Sequence, residues 1–140
     1  MSVRKRLFLL LGGTYGLIYR IPVIGEAVVR GISRSLGFIG SHVPLGLKRR
    51  DSMAVLKQDL ERVFELTDMD IESVHQEGDR IELVLTVCPY GYCRPGQAGV
   101  CDAAMDMDRT MFEYCGCDLA IDACIPHGAP VCRVTIRKKP

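Results

Sequence analysis

All seven cysteines of this chain lie between Cys88 and Cys132, and the first 87 residues carry none. Whatever the C-terminal stretch folds into must therefore hold Cys88, Cys93, Cys101, Cys115, Cys117, Cys124 and Cys132 in a small volume. They can be buried as small hydrophobes, paired, or used as ligands. An odd number without a clear secretory signal argues against a disulfide framework. In a reducing, cytoplasmic compartment the expected uses are metal coordination or thiolate chemistry.

The chain has 140 residues, the size of one ordinary domain, with 48% hydrophobic and 25% charged residues. That balance excludes wholesale disorder, a coiled coil and a polytopic membrane protein. Charge is segregated. Residues 1–50 carry nine basic side chains against the single acid Glu26, whereas residues 51–132 carry sixteen acids against five bases. A basic arm (1–50) on an acidic body (51–140) predicts self-complementary assembly or attachment to an anionic surface. Trp is absent and aromatic residues are 6%, so no nucleic-acid partner is expected.

The N-terminus has a charge-then-apolar order, Arg4-Lys5-Arg6 followed by Leu7 to Tyr19. The run is shorter than the roughly 20 residues of a spanning helix and is interrupted by Gly12, Gly13 and Gly16. The small-residue site at Gly25-Glu26-Ala27 is a poor cleavage signal. A segment lying on a membrane or on a partner is the expectation, and the protein is read as membrane-peripheral at most.

Residues 22–39 read as an amphipathic helix with Pro22 in its first turn. Ile24, Val28, Ile32 and Leu36 form one row, joined by Ala27 and Ile39, with Glu26, Arg30, Ser33 and Arg34 opposite. Such a helix packs on its own domain, or serves as an interfacial or subunit contact, giving a homo-oligomer through residues 22–39. His42 to Leu47, followed by Lys48-Arg49-Arg50, reads as a linker. A second helix starts at the capping pair Asp51-Ser52 and runs to about Leu66. The period then changes to two around Glu77-Gly78-Asp79, the signature of a hairpin, with Ile81, Leu83, Leu85 and Val87 on one face. Cys88 to Gly96 is a loop, Ala98 to Tyr114 a helix, Cys117 to Ile125 and Cys132 to Lys138 strands. The order predicts an α+β fold: an antiparallel sheet of about four strands with helices packed on it, a ββαββ core.

Cys88, Cys93 and Cys101 stand at a strand end, in a glycine-rich loop and at a helix start. Cys124 and Cys132 flank one connection and meet if the register pairs them. These five are the candidate metal ligands, for Zn2+ or a 4Fe–4S cluster. Cys115 and Cys117 are either further ligands, a redox dithiol or buried hydrophobes. Catalytic candidates are Cys101 as nucleophile, Asp106 as base, and His127 as acid–base group or fourth ligand. Asp102 and Asp108 belong to the same acidic helix.

The segment Cys124-Ile-Pro-His-Gly128-Ala-Pro-Val-Cys132-Arg-Val-Thr-Ile136 resembles the closing hairpin of 4-vinyl reductase-type domains. Cys88-Pro89, and Cys101 with Asp106, are similar to features of the related L-2-amino-thiazoline-4-carboxylate hydrolase-like proteins. The resemblance covers roughly residues 52–137. It implies a small-molecule pocket between sheet and helices. It also implies a zinc held by a cysteine, a glutamate three residues before the hairpin, and both hairpin cysteines. Ile121 occupies the glutamate's position here, so Cys93, Cys101 or Cys117 would have to replace it, and an all-sulfur set favours iron–sulfur.

The expected protein is thus a small metal-thiolate protein binding a small apolar ligand or a partner enzyme. Two alternatives stand beside it. One is a thiazoline-type C–N or C–S hydrolase using a cysteine and an aspartate. The other is a non-catalytic assembly subunit.

Overall fold

The computed structural model describes residues 1–43 and 46–140, so Pro44 and Leu45 of the expected linker lie outside the described residues. In chain order it comprises α1 (Val3–Tyr19), α2 (Gly25–His42), α3 (Met53–Thr67), β1 (Ile71–Glu77), β2 (Arg80–Leu85), α4 (Ala98–Ala104), α5 (Asp106–Tyr114), β3 (Cys117–Ala123) and β4 (Cys132–Lys138). The four strands form one antiparallel sheet in the order β1-β2-β4-β3. The fold is α+β, with helices packed on the sheet. The helix expected over 98–114 is divided at Met105, which joins α4 to α5 with helical backbone angles.

The body forms as the periodicity requires. Ser52 caps α3, accepting a hydrogen bond from the Ala54 amide at 3.2 Å. Met53, Leu56 and Leu60 then bury against Ile81, Leu83, Val134 and Ile136 of the central strands β2 and β4. Val87 does not continue the inward face of β2. It lies beyond the strand and is exposed.

Helices α1 and α2 build a second core with α4 and the loop after β2. Tyr15 of α1 and Val29 of α2 are fully buried beside Tyr90, Tyr92, Val100 and Ala103. The orientation of α2 corrects the simplest reading of its sequence. Its buried face is the small-residue row Gly25, Val29, Ser33, Gly37 and Ser41, while Ile24, Val28, Ile32 and Ile39 are exposed. Close approach explains the inversion. A Cβ on Gly37 would stand 2.4 Å from the Met107 carbonyl oxygen of α5. Arg30 and Arg34 reach across the same seam to Asp102 and Asp106. Small residues let the backbones touch, and the arginines then align the helices.

Gly37→Leu should therefore push α2 off α5 and cost about 2–3 kcal/mol of stability, by the usual penalty for overpacking a close seam. Gly31→Ala, where a Cβ meets nothing within 4 Å, should be neutral or slightly stabilising. Urea midpoints of the two variants check the contrast.

Candidate functional site: a thiol-walled cavity

Three local features bring distant cysteines together. Cys88 follows the end of β2, where the chain turns and the Gly91 amide donates to the Cys88 carbonyl at 2.9 Å. Cys101 lies on the buried side of α4. The third feature is a β-bulge. Ile121 pairs with Val134 but Ala123 pairs with Arg133, so Asp122 is an extra residue in β3. On strict alternation Cys117, Leu119, Ile121 and Ala123 would share the inner face and Cys124 would point away. The bulge shifts that alternation by one and brings Cys124 to the inner face with Cys132. The Thr135 hydroxyl donates to the extra Asp122 carboxylate and holds the bulge.

The result is a run of four thiols. The sulfurs of Cys101 and Cys124 are 3.5 Å apart. Cys88 lies against Cys101, and Cys132 lies beside Cys124. The Ile125 amide donates to the Cys132 sulfur at 3.4 Å. Four of the five predicted ligands are thereby together. Cys93, the fifth, is exposed in its loop, and Cys115 and Cys117 are buried in the other core cluster.

Their electrostatics differ. The Cys101 thiol beside it brings Cys88 down to about 6, against the opposing effect of burial, with help from the backbone amides of Tyr92, Tyr90 and Gly91. Cys101 is pushed up, first because it donates to Cys88 and then by burial and by Cys124. Of the two, Cys88 is the thiol whose deprotonated form the site favours. Burial also raises Cys132.

Sulfurs bound tetrahedrally to zinc at about 2.3 Å lie roughly 3.8 Å from one another, so the Cys101–Cys124 spacing matches one edge of such a site. A cubane interposes its own irons and sulfides between the thiolates and asks for a wider set. Among the described residues no three His, Cys, Asp or Glu side chains converge on one point. The donor set suits zinc in chemistry and along one edge, and side-chain rotation is needed to close it.

All four thiols line a cavity of about 210 Å³ between the inner face of the sheet, α3 and α5. Leu83, Leu85, Ile121 and Val134 form its floor, with Leu60, Val63, Phe64, Met111 and Phe112 opposite. Ile121, at the position where the resemblance puts a glutamate ligand, is an apolar part of this wall. On the other side of Cys101 and Cys124 a shallower pocket carries His127, which is exposed.

The acids of the 102–108 stretch separate into two roles. Asp106, a predicted base, is buried among three guanidiniums: Arg30 at 3.1 Å, Arg34 at 3.0 Å and Arg109 at 2.8 Å. Asp102 holds Arg30 at 2.8 Å and Arg109 at 2.6 Å. Both carboxylates are committed to the seam between α2, α4 and α5. Asp108, on the same acidic stretch, lines the cavity. The residue is half-buried. Burial raises it to about 6, opposed by its own backbone amide and by the more distant Arg109. The signal that could have found it was the helical period. Asp108 follows Ala104 by four residues, on the side of the helix that Val100 and Ala104 bury.

No protein-family model matches the sequence, and none of the curated proteins matches it.

Because the folded protein disfavours the Asp108 carboxylate, that charge destabilises it at any pH above about 6. The penalty fades as pH falls from 6 through the ordinary value of 3.8. Asp108→Asn should therefore stabilise the empty protein by about 3 kcal/mol at pH 7.5, the equivalent of the shift. The gain should vanish below about pH 4, as denaturant titrations at the two pH values would show.

Proposed function

We propose that this chain is a ligand-binding metal-thiolate protein. Cys88, Cys101, Cys124 and Cys132 hold a zinc ion, and a small, largely apolar ligand occupies the cavity that these thiols wall. The observation that carries the reading is the convergence of four thiols, from a strand end, a helix and both sides of a hairpin, on one apolar cavity. The 3.5 Å spacing of Cys101 and Cys124 favours zinc over a 4Fe–4S cluster. The resemblance to 4-vinyl reductase-like domains supports the same division into metal and ligand sites. Zinc would supply a fixed positive charge that keeps the thiols deprotonated and ties loop, helix and hairpin together. Seven free thiols suit a cytoplasmic setting.

Protein purified without oxygen should be colourless and contain about one zinc per chain, the stoichiometry of a closed tetrathiolate. Cys124→Ser should lose most of the metal, and Cys93→Ser should keep it. A brown sample with about four irons would replace zinc by a cluster.

A second reading is favoured by one arrangement, the Cys88 sulfur set against Cys101 and the backbone amides of Tyr90, Gly91 and Tyr92. Should the protein carry no metal, thiol chemistry becomes the better account. The nucleophile would then be Cys88 rather than Cys101, which is held neutral. The free acid would be Asp108 rather than Asp106, which three arginines occupy.

The N-terminal helices support a docking role. Leu7, Leu10, Leu17 and Ile21 make an exposed stripe on and just beyond α1, and Ile24, Val28, Ile32 and Ile39 make another along α2. Val23, at the turn between the helices, is completely exposed with φ at 71°. Arg6 and Arg20 lie beside the α1 stripe, and Glu26 is the first acid of the chain. An apolar face edged with bases and free of acids fits the surface of an anionic bilayer better than a second copy of itself. Among the described residues no helix is long and apolar enough to cross a membrane, so the contact is peripheral. Vesicles rich in phosphatidylserine should sediment the protein roughly thirtyfold more strongly than zwitterionic vesicles, as two membrane-facing bases at about 1 kcal/mol each imply. Leu10→Glu with Leu17→Glu should abolish binding. A stable dimer that ignores vesicles would instead assign these stripes to self-association.

A further inference from the structure

Among the described residues Asp108 is an ionisable group with no ion-pair partner. Among the described residues no side chain hydrogen-bonds to it, and Arg109 next to it turns both terminal guanidinium nitrogens to Asp102 and Asp106. A second polar group nearby is also without a partner. The Tyr90 hydroxyl is buried, makes no hydrogen bond, and feels the field of Asp108. Both residues line the cavity, and almost everything else there apart from the thiols is aliphatic, aromatic or methionine. A carboxylate partly withdrawn from water without a cation is costly, and a buried hydroxyl without a partner adds to that cost. One bound group can satisfy both.

We propose that the cavity selects a compact apolar molecule bearing one cationic hydrogen-bond donor, a protonated amine or amidine, seated on the Asp108 carboxylate beside the Tyr90 hydroxyl. The cationic head supplies the missing counter-charge. The apolar body fills the space between Leu83, Val134 and Met111. The size follows from the volume. A dry cavity of about 150 Å³ holds benzene, so about 210 Å³ holds a body of roughly eight to ten non-hydrogen atoms by the same scaling. The inference rests on the ligand half of the proposed function and is independent of which metal, if any, the thiols hold.

Three probes of nearly one shape test it: benzylamine, benzyl alcohol and benzoate, titrated by calorimetry at pH 7.5 into the full-length protein. Benzylamine should bind at least tenfold more tightly than benzyl alcohol, and benzoate should not bind. Asp108→Asn, which keeps the shape and removes the charge, should erase the advantage of the amine while leaving the alcohol unchanged. Asp108→Leu, which also removes the acceptor, should do the same, and circular dichroism confirms that each variant is folded. Equal binding of alcohol and amine, or an amine preference that survives in both variants, would overturn the proposal and leave the apolar-ligand reading in place. Binding of none of the three would overturn both, and the metal content measured on the same sample would still decide the metal half separately.

Discussion

The helical layer is organised around one buried carboxylate. Asp106 opens α5 with three guanidiniums around it, two from α2 and one from its own helix. Burying such a cluster contributes little net stability, because desolvation offsets most of the attraction. What it does is exclude other registers. If α2 slid by one turn, at least one charge would be buried without a partner, and Gly37 would no longer face the Met107 carbonyl. The position of α5 follows from that match, and with it the placement of Asp108, Met111 and Phe112 along the cavity. The layer that resembled a detachable arm in the sequence is therefore part of what shapes the site.

The sheet was the most legible part of the chain. Alternation around Glu77-Gly78-Asp79 and the apolar row of β2 require little knowledge of tertiary structure, because a half-buried strand shows its period locally. The capped start of α3 was legible for the same reason. Helix α2 was not. A row of Ile and Val at helical spacing reads as the buried face, since burial of large side chains is the usual driving force. Here proximity wins. Gly25, Gly37 and the two serines allow backbone contact that the larger residues would prevent, and two arginine pairs reward it.

The thiol set shows a similar division. That Cys88, Cys101, Cys124 and Cys132 gather could be expected from their positions on turns, helix and hairpin. Excluding Cys93 required the loop geometry, and seating Cys124 on the inner face required a bulge that no local pattern announces. Asp106 and Asp108 look equivalent in sequence. Two residues of separation on a helix is about 200° of rotation, which sends one into the arginine seam and the other into the cavity.

The contact between α1 and the Cys88 loop carries a mechanical consequence. A Cβ at Gly12 would stand 2.3 Å from the Tyr90 carbonyl oxygen, and the Tyr92 hydroxyl donates to the Gly12 carbonyl at 2.9 Å across a buried seam. With so little clearance, the backbone that presents Cys88 and Tyr90 moves with α1 as one body. The outer side of that helix carries the exposed Leu7, Leu10 and Leu17. Any surface that tilts α1 on contact would therefore alter the thiol set from behind. Thermodynamic reciprocity then requires that occupancy of the thiols alter affinity for the surface by the same factor. A single close-packed glycine thus ties the outer face of α1 to the loop that carries Cys88.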